Sequence, residues 1–204
     1  MDRKQHWDTV YTTKGESEVS WFEALPAVSL RLLEAAGLTR DTCVIDIGGG
    51  DSRLVDALSA RRLECLAVLD VSGAALRRAQ ARLGEGAAAL TWIEADVTGD
   101  WSSKAMDIWH DRAVFHFLTR PEDRAVYRDR LRRTLKPGGR AIVATFAPDA
   151  PERCSGLPVS RYSAEALAAE LGGSFRLDES IRHEHHTPFG TVQPFTYARF
   201  TRVA

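Results

Sequence analysis

Cysteine is scarce in this chain, and the little there is does not pair: Cys43, Cys65 and Cys154 are odd in number, and none sits in a C-x-x-C spacing. That excludes a disulfide framework and a structural zinc site. Cys43 and Cys65 fall in apolar runs and read as small core residues. An excess of either charge is missing too. Twenty-seven Lys and Arg against 28 Asp and Glu leave a net charge of -1, so no global field draws the chain to nucleic acid or to an anionic membrane. No apolar run approaches the roughly 18 residues a membrane helix needs. The N-terminal "MDRKQHWDTVYTTKGES" has no signal-like apolar core. The expectation is a soluble, cytoplasmic protein without nucleic-acid or membrane partners, working as a monomer or homodimer. Repeats, low-complexity tracts and polar linkers are absent as well, so residues 1–204 read as a single domain.

What is present is an alternation. Strand-length apolar runs stand at 43–47, 64–70, 89–96, 105–111 and 140–147. Between them lie the helical patterns "SRLVDALSARR", "SGAALRRAQARLG" with Ser72 as N-cap, and "RPEDRAVYRDRLRRTLKPGG", closed by Pro137 and Gly138. Strands that are apolar throughout and alternate with helices predict a parallel sheet covered on both faces, with right-handed crossovers. After the helix "SAEALAAEL", the runs "SFRLDESIRHEHH" and "QPFTYARFTRV" flank "TPFGTV", which predicts an antiparallel hairpin at one sheet edge. The fold class is therefore α/β: doubly wound, with a mostly parallel seven-stranded sheet ending in an edge hairpin. The helical first 36 residues lie outside the alternation.

Three glycines follow the first strand in "VIDIGGGDSR". In an open α/β sheet the ligand crevice lies beyond the carboxyl ends of the strands where strand order reverses, and the first strand borders it. Gly48 and Gly50 let backbone approach a ligand there, while the helix beginning near Ser52 points its free N–H groups into the crevice. At the ends of the next two strands, Asp70 can accept from both hydroxyls of a ribose diol, and Asp96 from an amino group on an adenine edge. A dinucleotide site would need glycine at 53, where Arg53 stands.

"VIDIGGGDS", "LAVLDVS", "EADV" and "LKPGGRAIVATF" together resemble class I S-adenosylmethionine-dependent methyltransferases over residues 40–147. The resemblance implies a Rossmann-like cofactor-binding core at 40–147 and an N-terminal lid at 1–36. It leaves 148–204 as an acceptor-side loop, helix and hairpin. It places the methionyl part at Gly48 and Gly50, its amino group near Asp46, and ribose and adenine on Asp70 and Asp96. Ser52, Val71, Val97 and His110 complete the implied cofactor contacts. "HWDTVY", "VSWFE" and "GGGDS" resemble the small lysine methyltransferases that modify elongation factors, whereas "HHTPFGTVQPFTYARF" is closer to small-molecule thiol and chalcogen methyltransferases. The expected function is methyl transfer from S-adenosylmethionine to an acceptor, preferably a small molecule. The alternatives are a protein lysine and a noncatalytic cofactor-binding module.

Methyl transfer to a carbon already activated by a sulfonium needs positioning and desolvation, and a base only when the acceptor arrives protonated. "WHDRAVFHFLTRPED" crowds His110, Asp111, Arg112 and His116 among apolar residues where cofactor and acceptor should meet. Asp111 and His116 are the catalytic candidates, set against a local Asp111–Arg112 ion pair and a satisfied core histidine. Trp7 and Tyr11, spaced i, i+4, with Trp21 beyond, either anchor a core or form the lid over the cofactor. In "RHEHH", His183 and His185 face one side, but no third ligand accompanies them, so no metal is expected. Cys154 lies beside the expected cleft as an inert loop thiol or an acceptor-side group.

Overall fold

A computed structural model describes residues 2–203. Its sheet runs β3-β2-β1-β4-β5-β9-β8. The five parallel members are β1 (Cys43–Ile47), β2 (Cys65–Asp70), β3 (Thr91–Glu94), β4 (Met106–Arg112) and β5 (Leu135–Phe146). Two long strands follow, β8 (Phe175–His186) and β9 (Val192–Arg202), which form the expected antiparallel edge hairpin. A two-residue pair, β6 (Arg153–Cys154) with β7 (Leu157–Pro158), folds the connection after β5 back on itself.

The helices are α1 (Arg3–Thr13), α2 (Ala27–Ala35), α3 (Leu54–Ala60), α4 (Gly73–Leu83), α5 (Pro121–Thr134) and α6 (Ala164–Leu171). Neighbouring residues of a strand point to opposite faces, and the core shows it. Val44 joins a cluster with Leu33, Leu54, Val55 and Leu76 from α2, α3 and α4. Ile45 joins the other cluster, with Tyr127, Leu131 and Leu167 from α5 and α6. Helices on both faces explain why the strands carry apolar residues at successive positions.

Two boundaries differ from the sequence reading, each for a local reason. α3 begins at Leu54, because Ser52 closes a turn to the Gly49 carbonyl at 2.8 Å and its Oγ accepts from the Leu54 N–H at 3.1 Å. α5 ends at Thr134, before Pro137 and Gly138. Leu135 turns extended and pairs with Met106, and the ladder then shifts so that Arg140 meets Ile108. Residues before a proline disfavour the helical region, and Gly138 at φ +77° completes the turn within β5.

The N-terminal segment is laid over the carboxyl ends of the parallel strands. Asp8 of α1 fastens it by accepting from the Ser72 hydroxyl at 2.7 Å and the Ala74 N–H at 3.3 Å at the start of α4. No helix among the described residues is long and apolar enough to cross a membrane.

Candidate active site

β1 lies between β2 and β4, where the strand order reverses, and two adjoining hollows open at its carboxyl end. The larger has about 830 Å³ of open space. The second, of about 650 Å³, shares Tyr11, Trp21, Gly48 and Arg112 with the first. Among the candidates from the sequence, Trp7, Asp70, Val71, Asp96 and Val97 line the larger hollow. Asp46, Ser52 and His110 line the second. Gly50 lies just beneath, against Asp70.

The loop between β1 and α3 owes its shape to three close approaches. Gly48 sits at φ +66°, where a Cβ would run into Val114. A Cβ on Gly49 would stand 2.5 Å from Asp46 Oδ2, and one on Gly50 would stand 2.5 Å from Asp70 Oδ2. Cβ-free backbone thus packs directly on two buried carboxylates.

Those carboxylates have different environments. Asp46 Oδ1 accepts from His110 Nδ1 at 2.7 Å, and His110 Nε2 meets Ser29 Oγ at 2.9 Å, so α2 and β4 together fix the group. Asp46 Oδ2 is buried and has no partner, an acceptor waiting for a donor. Asp70 Oδ1 accepts from the Ser72 N–H at 2.8 Å. Burial, together with the nearby Asp46 charge, pushes its carboxyl up to about 7. A ligand hydroxyl donating to Asp70 favours the ionised form.

Asp96 is held more firmly. Its Oδ1 accepts from the Thr98 N–H at 2.8 Å and the Thr98 hydroxyl at 2.7 Å, and Arg3 Nη1 of α1 lies 3.1 Å from Oδ2. Arg3 also pairs with Asp123 at the start of α5. Sequence reasoning missed Arg3, since nothing local links residue 3 to residue 96.

Aromatic rings roof the larger hollow. Trp7 meets Phe117 at 5.2 Å and Trp21 at 5.6 Å between centroids, and Tyr11 meets Trp21 at 6.2 Å. Beyond them, the far end is walled by Arg112, Phe117, Phe146, Cys154, Gln193 and Phe195. Arg112 donates through Nε to the Tyr197 hydroxyl at 2.9 Å and through Nη1 to the Trp21 carbonyl at 3.0 Å, and it pairs with Glu23 at 3.1 Å. Burial pushes the Cys154 thiol up to about 11, so it stands as a neutral thiol.

The two catalytic candidates, Asp111 and His116, line neither hollow. Asp111 is fully buried on the other face of β4. It accepts from the Tyr127 hydroxyl at 2.6 Å, the Val114 N–H at 2.9 Å and the Phe115 N–H at 3.2 Å, and it lines neither hollow. Its neighbour Arg112 points the opposite way, so the anticipated Asp111–Arg112 pair does not form; consecutive strand residues face opposite layers. His116 is also fully buried. Its Nδ1 accepts from the Phe146 N–H at 3.2 Å, and burial with the nearby Arg112 charge pushes it down to about 3, which leaves a neutral ring. Its Nε2 finds no partner. Among the described residues no group of His, Cys, Asp or Glu is arranged to hold a metal.

S-adenosylmethionine fits this donor and acceptor set: an orphaned buried oxygen on Asp46 suits its amino group, Asp70 its ribose diol, and the Cβ-free loop gives it room. A family model described as a methyltransferase domain matches residues 45–141. Over 116 residues the chain is 34% identical to an uncharacterized methyltransferase of Mycobacterium tuberculosis, covering 56% of each. The chain thus spans about half the length of the curated relatives it matches. In fold it resembles an S-adenosylmethionine-dependent methyltransferase from Anabaena variabilis, with TM-score 0.77 and 16% identity over 98% of this chain and 93% of that one. It also resembles the 1,6-didemethyltoxoflavin-N1-methyltransferase of Burkholderia thailandensis, solved with 1,6-didemethyltoxoflavin and S-adenosylhomocysteine bound. There the TM-score is 0.70 and the identity 17% over 98% of this chain and 87% of that one. Over residues 45–141 the chain is thus similar to a methyltransferase domain, and its strand order is that of the S-adenosylmethionine-dependent methyltransferases it resembles in fold.

Proposed function

We propose that the chain transfers a methyl group from S-adenosylmethionine to a small, uncharged acceptor held at the far end of the larger hollow. The observation that carries this is the wall there: Phe117, Phe146 and Phe195, the neutral Cys154 thiol, the Gln193 amide, and an Arg112 whose charge is already balanced by Glu23. The carboxylates lining this hollow are Asp70 and Asp96, both at strand ends and both assigned to the adenosine part. A lysine ammonium entering such a wall would lose its hydration without gaining an ion pair.

S-adenosylmethionine supplies a methyl carbon already activated by its sulfonium. The protein's share is then positioning and exclusion of water. Asp70 and Asp46 fix the two ends of the donor; the roof of Trp7, Tyr11, Trp21 and Phe117 covers the space between donor and acceptor and offers ring faces to a cation. His116, neutral and committed to the Phe146 N–H, shapes the acceptor wall from behind. The Burkholderia enzyme, solved with 1,6-didemethyltoxoflavin bound, supports reading the acceptor as a small molecule.

Incubating methyl-labelled S-adenosylmethionine with the protein and cell extract, then separating macromolecules from metabolites, tests the proposal. Label is expected in the small-molecule fraction. Label in a protein band would move the acceptor to a protein side chain, and no incorporation anywhere would leave a binding module.

A further inference from the structure

The histidine-rich end of β8 is the sequence feature that cofactor and acceptor binding leave unused. His185 is 3% exposed, although it lies in a hairpin at the sheet edge. Its ring sits edge-on to Phe195, an acceptor-wall residue, at 6.2 Å. Both ring nitrogens face the N-terminal segment. Nε2 is 2.7 Å from the Ser20 carbonyl and so donates to it, and Nδ1 is 3.4 Å from Glu23 Oε1. Gln193, directly across the ladder from His185, donates from Nε2 to Ser20 Oγ at 3.3 Å. The same Glu23 oxygen meets Arg112 Nη2, and Arg112 Nη1 holds the Trp21 carbonyl. Residues 20–23, which carry the roof ring Trp21, are therefore gripped from β4, β8 and β9 at once.

The chemistry of this grip depends on one proton. A carbonyl oxygen and a carboxylate oxygen are both acceptors, so only the doubly protonated imidazolium offers a donor to each. In the neutral ring that keeps its hydrogen on Nε2, the Nδ1 lone pair confronts the Glu23 carboxylate.

We propose that His185 is a positioning residue for the roof: its ring clasps Ser20 and Glu23, holds Trp21 over the cleft, and slows departure of the bound nucleoside product. The inference rests on the cofactor-cleft reading above. The charged and titratable groups around the clasp are Glu23 from the N-terminal segment, Arg112 from β4, His183 and His186 from β8, and, against Glu23 and Ser20, Tyr197 from β9 and Cys154 from β6. Burial would raise the Glu23 carboxyl, yet His185, Arg112 and His183 together hold it below its ordinary range. Burial lowers His183 from its ordinary value.

The test is the dissociation rate of S-adenosylhomocysteine from the full chain. It is read by tryptophan fluorescence after stopped-flow dilution at one fixed pH. His185→Gln should release product about five-fold faster than wild type, the scale of one partly buried ion pair. Glu23→Gln, which removes the opposing carboxylate, should also release it faster and keeps the test open if the first variant does not fold. The double variant should be no faster than Glu23→Gln alone, because both residues act through one contact. Wild-type release in both single variants, or effects that simply add in the double variant, would overturn the clasp while leaving cofactor binding intact. Failure to bind S-adenosylhomocysteine would overturn the cleft reading and the clasp with it. A merely structural His185 would lower the melting temperature without altering the release rate.

Discussion

Gly50 and Asp70 are in contact through the absence of a side chain: a Cβ at position 50 would stand 2.5 Å from Asp70 Oδ2 and 3.0 Å from the Ala75 Cβ. The loop glycine and the acid proposed to hold the ribose therefore form one unit, joined by packing across the ends of β1 and β2. Gly50→Ala should push the carboxylate off its position and weaken S-adenosylmethionine binding about ten-fold, the equivalent of one hydrogen bond to a charged group. Calorimetry measures it. An affinity unchanged from wild type would separate the two residues.

Asp8, the residue after the roof ring Trp7, fastens α1 to the start of α4 through the Ser72 hydroxyl and the Ala74 N–H. Removing those bonds in Asp8→Ala costs ~1 kcal/mol of docking, as for a lost helix cap. If the segment is a lid, cofactor dissociation should quicken about five-fold with little change in the melting temperature of the sheet domain. A drop in melting temperature without faster dissociation would make α1 a plain structural strap.

Asp111 accepts from Tyr127, Val114 and Phe115 in a fully buried place. In Asp111→Asn one of the side-chain positions turns from acceptor to donor, so at least one of these donors loses its partner, at ~1–3 kcal/mol. For a chain of this size that is a melting-temperature loss of roughly 3 to 10 °C. S-adenosylmethionine affinity of the folded fraction should stay within about two-fold of wild type, because the group lines neither hollow. A large loss of affinity at unchanged stability would return Asp111 to the site.

The parity of β4 shows what the sequence could have told. His110 and Arg112, two apart, share the face toward Ser29, Trp21 and Glu23. Trp109 and Asp111 share the other face and both meet the Tyr127 hydroxyl. Once His110 is assigned to the cofactor side, the period of two already sends Asp111 to the opposite layer. The doubly wound sheet, the edge hairpin and the Gly48–Asp70–Asp96 series were legible because each rests on a local pattern at a strand end. Arg3 with Asp96, Glu23 with Arg112, and His185 with Ser20 were not, because each joins residues more than 80 positions apart whose meeting depends on where the N-terminal segment lies. The end of α5 was misjudged by a few residues because Leu135 finds a strand partner in Met106 before Pro137 is reached.

Titration calorimetry of S-adenosylmethionine against wild type and Asp70→Asn, across about pH 5.5 to 8.5, tests the central claim most directly. Asp70 in the free protein has its carboxyl raised to about 7, chiefly by burial. The raised value stabilises the free fold below the ordinary carboxylate range, and that contribution is lost as pH rises through about 7. The ribose diol favours the ionised form, so binding has the opposite dependence. Wild-type affinity should hold above about 7 and fall by up to ten-fold for each pH unit below it, with one proton released on binding. Asp70→Asn should bind weakly with a shallower pH profile. An affinity that ignores both the pH and the substitution would contradict the placement of the cofactor in this cleft.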